Sequence, residues 1–294
     1  MIEEQSISSK AAGRKVPIYI SVLIIFWTLS IAGALLLNIN RTYEHAKESA
    51  LIQARTAFEK DVMYRRWVSG LGGVYGKIGP TLPSNPYLAA DSTRDIPGPN
   101  GIPYTKINPA YMTRLVHELG ELASGVTGHI TSTNPIRPDN KPDAWEEQAL
   151  YSLEENPELK ELSVITTRDG KDYFRFIGPL VTEESCLSCH AIQGYVAGEQ
   201  RGGISVDVPM APFLRSAKTA IVFLVLSHGA LWLIGFTGLL VFGQRIILHI
   251  KQQDKAEVQL RSLAAELEDR VEERTKELQM SQEAAERANM AKSE

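Results

Sequence analysis

The sequence predicts an α+β protein: two membrane-spanning helices flank an antiparallel-sheet domain that starts on a long helix, and a coiled coil follows. Three observations carry this expectation. Two long uncharged runs bracket the centre of the chain, alternating strand patterns lie between them, and the tail is a glycine- and proline-free stretch with an apolar heptad. Charge is nearly balanced, with 31 Lys and Arg against 35 Asp and Glu, so there is no basic footprint of the kind nucleic-acid binding requires.

No charged residue occurs from Val16 to Asn40, and residues 16–37 are long enough to cross a bilayer as a helix. Ala32-Gly33-Ala34 resembles a signal-peptide cleavage site, but apolar sequence continues through Leu37. A signal-peptide core is about 7–15 residues long, so an uncleaved anchor is expected. The second run, Thr219 to Gln244, places another span at 218–243. Lys10, Arg14 and Lys15 precede the first span, and Arg245, His249 and Lys251 follow the second. The positive-inside rule then leaves residues 1–15 and 244–294 in the cytoplasm and 38–217 outside it, as a folded domain periplasmic to a bacterial inner membrane.

Within that domain a helix is punctuated by Asn108 as N-cap, Pro109 as first helical residue and Gly125 as stop. Met112 shares a face with Leu115, Val116 and Leu119, which is expected to look inward, and His117 falls on the opposite, polar face. A strand near Gly128–Thr133 carries His129, and prolines at 135, 138 and 142 stiffen the loop after it. Asp143 and Glu146 nearly form a capping box for a helix through about Glu154, with Trp145 as a core or cofactor-packing aromatic. Three alternating segments follow, starting at Leu162, Asp172 and Gly202, and Asp169-Gly170 is a hairpin signal between the first two. Tyr173, Phe174 and Phe176 put one side of their strand on the core and leave the other exposed or facing a cofactor. In the tail, Ala264, Val271, Leu278 and Ala285 repeat every seven residues, with Leu260 and Leu267 in the alternate seam position; Arg274 and Ser281 interrupt it. Two spans feeding this seam favour a parallel homodimer over a solvated single helix.

The only two cysteines lie in E-E-S-C-L-S-C-H-A, as Cys186 and Cys189 directly before His190. A thioredoxin-like pair would need βαβ flanks. A structural zinc site needs four ligands, and no second cysteine pair exists. A disulfide between residues three apart closes almost no loop. Covalent attachment of one haem c per chain remains, since two thiols a helical turn apart reach the two vinyl groups and the adjacent imidazole meets the iron. The second axial ligand is open. Met112 is either that ligand or a core gap-filler, and His117, His129, Met63 and His45 have weaker local support. His228 lies inside the second span beside Gly229, which points to helix packing.

T-S-T-N-P-I-R-P-D-N-K-P-D-A-W-E-E-Q-A-L together with F-I-G-P-L-V-T-E-E-S-C-L-S-C-H resembles the periplasmic c-haem PAS-like sensor domain of bacterial histidine kinases, over most of residues 38–215. The resemblance implies His190 as proximal ligand. Family members can use a distal cysteine near the position of Pro109–Met112; this chain has none there, which makes Met112 the natural replacement. Arg137 is either a fork donor to a haem propionate or a solvated arginine. The segment L-E-D-R-V-E-E-R-T-K-E-L resembles the linker into a histidine-kinase phosphoacceptor helix, whose histidine would lie beyond Glu294. No catalytic residue is expected within these residues, and the complete protein is expected to be a protein-histidine kinase acting on a response regulator. The leading expectation is a membrane-anchored haem sensor of redox poise or a diatomic gas. Its alternative is a membrane-tethered electron-carrier cytochrome, and zinc or thiol redox sensing is a third reading.

Overall fold

A computed structural model describes residues 2–292, so the start of the expected segment 1–15 and the end of 244–294 lie outside the described residues. The chain divides into two compact units, one running from Ile39 to Val222, the other made of the residues to Asn38 and those from Phe223 onward.

The central unit is α+β. Helix α1 (Ile2–Gly70) supplies its first element, and a three-stranded antiparallel sheet follows from β1 (Val74–Lys77), β2 (Asp95–Pro97) and β3 (Pro103–Ile107), in the order β1-β3-β2. These strands are 4, 3 and 5 residues long, too short for alternation to announce them in the sequence. Helix α2 (Pro109–Ser124) leads to β4 (Thr127–Thr131), then come α3 (Ala144–Glu155), β5 (Leu162–Arg168), β6 (Lys171–Val181), the short α4 (Leu187–His190) and β7 (Gln200–Pro209). The larger sheet has the order β4-β7-β6-β5, antiparallel throughout.

Local chemistry explains the boundaries. Asn108 Oδ1 accepts from the Tyr111 amide at 2.9 Å, and Gly125 ends α2 at φ 69°, a conformation cheap only without a Cβ. Asp143 and Glu146 form both halves of a capping box on α3. Asp169 and Gly170, at φ 50° and 70°, make the tight turn that pairs β5 with β6.

The larger sheet is covered on both faces. Phe174, Phe176, Leu180, Ile204, Val206 and Val208 pack against Ala50 and Ala54 of α1, while Ile177 points the other way onto Ala149, Leu150 and Leu153 of α3. The other side of β6 is divided: α3 and Trp145 cover Ile177, while Pro179 and Val181 at the strand's end line a cavity and Val181 is exposed. Small residues set the approach. A Cβ on Gly178 would stand 2.5 Å from Phe58, so glycine lets the tip of the α1 ring approach β6 closely.

Helix α2 turns out to be oriented differently from its apolar pattern. Val116 and Leu119 are 42% and 68% exposed, whereas Tyr111 and Thr113 are buried and His117 Nε2 meets Asp61 Oδ2 at 2.6 Å. The expected inward face of Met112, Leu115, Val116 and Leu119 is thus not the buried one. The reason is the partner: α1 presents Asp61 and Arg65 to α2, and polar side chains answer them.

In the other unit, two helical stretches are long and apolar enough to cross a membrane, one in α1 near the N-terminus and one in α5 (Ala211–Lys292). Their apolar side chains are uncovered, Phe26, Leu36, Phe223 and Ile234 being 68–70% exposed. Polar groups there are satisfied locally. His228 Nδ1 donates to the Leu224 carbonyl at 2.8 Å, which leaves Nε2 to accept from Asn38 at 3.4 Å, and Trp232 Nε1 donates to Thr28 Oγ1 at 3.0 Å. Beyond, α5 continues with i,i+4 ion pairs such as Arg261–Glu257 and Arg270–Glu266, and its seam residues Leu260, Leu267, Val271 and Leu278 are exposed.

Candidate cofactor-binding site

The Cys-x-x-Cys-His segment lies in the connection between β6 and β7. Residues Glu184–Cys186 form a 3-10 turn, Leu187–His190 a single α-helical turn, and Ala191–Gln193 a second 3-10 turn ended by Gly194 at φ 89°. The turn is anchored at its start, where the Cys186 amide donates to Glu183 O at 2.8 Å and the Glu183 amide to Cys186 Sγ at 3.4 Å. Arg66 holds Glu183 from α1, 2.7 Å away. Cys186 and Cys189 form no disulfide.

Two adjoining cavities, of about 350 and 890 Å³, are lined in common by Cys189, His190, Arg65, Arg201, Ala110 and Leu180; Cys186 lines the first and Gln193 the second. Such volumes lie in the range of cofactor sites, about 300–1,000 Å³. Phe58, Val62, Leu88 and Pro179 make the wall of the first apolar.

Electrostatics suit a neutral ligand and an anionic guest. Burial, with Arg201 and Arg65 nearby, pushes the His190 imidazole down to about 4 even though Gln193 hydrogen-bonds it, so the ring is uncharged at neutral pH. Arg65 is 8% exposed, and burial, with Arg201 nearby, lowers it to about 10, still well protonated. Its hydrogen bonds go to neutral acceptors, Pro109 O and Thr113 Oγ1, both at 3.3 Å. Arg201 is likewise lowered by burial. Two guanidiniums therefore share the cavity wall, Arg65 buried and Arg201 half-buried, a pair that a carboxylate-bearing guest would complement.

Of the residues singled out from sequence, Cys186, Cys189 and His190 come together on these walls. Met112 lines neither cavity; it is Ala110, two residues earlier, that α2 turns toward them. Arg137 lines the larger cavity, but its charge is taken up by Asp139 at 2.8 Å, with Asn140 at 3.3 Å. Met63 is 60% exposed, and His45 pairs with Glu48 on the helix surface. His129 is engaged by Glu146 and Asp139 O, and Trp145 packs on the α3 core under Arg175. Among the described residues lining the two cavities, the two cysteines and His190 are the only sulfur or imidazole donors. Arg65, Arg201 and Gln193 escaped the sequence reading, because nothing in a local pattern distinguishes a buried arginine from a solvated one.

An α+β domain with paired cysteines and a neutral histidine on a cofactor-sized cavity is consistent with a c-type haem protein. The chain belongs to the Tll0287-like family, whose model matches residues 42–209. Among solved structures it is similar to the crystal structure of the cyanobacterial heme-protein Tll0287, at 17% identity and a TM-score of 0.37, over 55% of this chain and 95% of that one. No curated protein matches it.

Proposed function

We propose that the chain is the signal-input part of a membrane-anchored haem c sensor, with residues 38–217 in the periplasm, spans at 16–37 and 218–243, and a dimeric cytoplasmic coil over 244–294. The observation that carries this is the placement of Cys186, Cys189 and His190 on two adjoining turns against a cavity lined by the buried Arg65 and the half-buried Arg201. When bound, the haem supplies a redox-active iron able to take a small axial ligand. The chain's own residues do the rest. Cys186 and Cys189 offer thiols to the vinyl groups, His190 offers an uncharged ring nitrogen, and Arg65 and Arg201 offer countercharge to the propionates. The uncovered apolar stretches suit a bilayer, and the exposed seam of α5 suits a second copy of this chain. The complete protein is, on this reading, a histidine kinase with a response-regulator partner.

Absorption spectra of the purified chain, oxidised and reduced, with and without carbon monoxide and nitric oxide, test this. A haem c spectrum whose reduced form shifts with gas is the expected result; a colourless protein from cells competent in cytochrome maturation overturns it. A haem spectrum indifferent to every gas favours the tethered electron carrier instead. Because Met112 lines neither cavity, Met112→Ala is expected to leave the ferric and ferrous spectra unchanged. A new gas-accessible species in that variant would restore Met112 as a ligand.

A further inference from the structure

We propose that Gln193 is the positioning residue that fixes the tautomer and orientation of His190, an inference that rests on the haem c reading above. Gln193 follows His190 by three residues and closes the second 3-10 turn. Its side chain bridges two groups. Gln193 Nε2 stands 2.9 Å from the Asn134 carbonyl oxygen, and Gln193 Oε1 stands 2.5 Å from His190 Nδ1.

The direction of both bonds follows from chemistry. A backbone carbonyl only accepts, so the amide NH2 of Gln193 must face Asn134 and its oxygen must face the imidazole. An amide oxygen also only accepts, so His190 Nδ1 must carry the proton. In a neutral ring the lone pair is then left on Nε2, the nitrogen a metal can take. Ligating histidines commonly donate their other N–H in this way, which orients the ring and makes the ligating nitrogen more basic.

The anchor of this relay is itself held. The Asn134 amide donates to Ser132 Oγ at 3.2 Å, Ser132 Oγ donates to Arg201 O at 2.8 Å, and the Ser132 amide donates to Asn140 O at 3.0 Å. Gln193 is thus oriented from the β4–α3 loop rather than from its own turn, and Tyr195 closes on the ring edge with centroids 6.4 Å apart.

Two substitutions in the full-length holoprotein separate positioning from plain structure. Gln193→Leu keeps bulk and removes the acceptor; Gln193→Glu strengthens the acceptor. The expected result is a midpoint potential that rises in the leucine variant and falls in the glutamate variant, with the ferrous iron–histidine stretch moving down and up in parallel. Shifts of one sign in both variants, or none while the haem remains bound, overturn the inference. Nitrogen NMR of His190 in haem-free protein gives an independent arm: protonation on Nδ1 supports it, and protonation on Nε2 overturns it. Failure of the haem c reading shows up separately, as wild-type protein without covalent haem.

Discussion

The double variant Cys186→Ser, Cys189→Ser is expected to lose all haem retained under denaturing conditions, and Cys189→Ser alone to retain clearly less than the wild type. The thiols lie on adjoining turns, Cys186 held by its amide bond to Glu183 O at 2.8 Å and Cys189 on the wall shared by the two cavities. A thioether survives denaturation, whereas an iron–imidazole bond and non-covalent packing do not. Haem-stained denaturing gels and pyridine haemochrome spectra of equal protein amounts read the difference. Full retention in the double variant would show attachment elsewhere and remove the basis for the proposed function. The fold itself should be unaffected, because neither cysteine belongs to the buried core.

Glu146→Ala is expected to be the most destabilising single change in the central unit, by about 3–5 kcal/mol, because removing one partner of a buried ion network strands the others. Glu146 is 1% exposed, accepts from His129 Nδ1 at 3.0 Å, from the Asp143 amide at 3.0 Å and from Ser205 Oγ, and lies 3.1 Å from Arg175. Arg175 also faces Asp143 and Asp207, and Arg168 reaches Asp207. His129 meets an acceptor on each ring nitrogen, the Glu146 carboxylate and Asp139 O at 2.9 Å, so only its doubly protonated form satisfies both. Glu146→Gln keeps the shape and should cost less. Denaturant midpoints for both variants check this, and an alanine variant within 1 kcal/mol of wild type (roughly a surface substitution) would refute it.

The same network gives stability a pH dependence. Burial alone would raise Glu146, but hydrogen bonds from His129 and Ser205 hold it down to about 2 against an ordinary 4.5, so its contribution is present above 4.5 and lost as pH falls toward 2. The bond to Glu146 raises His129 above 6.5, so its contribution is present below 6.5 and lost as pH rises through the raised value. Asp207, pushed up by burial, works against Glu146 on the acid side. The contributions of Glu146 and His129 are both in full between pH 4.5 and 6.5. In Glu146→Gln the acid-side loss due to this residue should vanish from the midpoint profile.

How much of this the chain declares depends on the range of the interaction. The caps at Asn108, Gly125 and Asp143, the Asp169-Gly170 hairpin and the four strands of the larger sheet were legible because caps, turns and alternation act between residues a few positions apart. So was Cys186-x-x-Cys189-His190, whose residues are contained in five consecutive positions. The three short strands gave no such signal. Helix α2 shows where the local rule fails: its apolar stripe is real, yet Leu119 and Leu122 are 68% and 87% exposed. Asp61 and Arg65, about fifty positions earlier, decide which side is buried.

By itself, then, the sequence determined the Cys-x-x-Cys-His segment, the ends of α2 and the start of α3, and the strands of the larger sheet, all short-range consequences of residue type and spacing. Only the tertiary structure decided that Ala110 rather than Met112 meets the cavity, that Arg65 and Arg201 share it, and that Gln193 bridges His190 to Asn134. Burial and hydrogen-bond partnership are properties of surfaces brought together by folding, and no spacing along one chain segment encodes them.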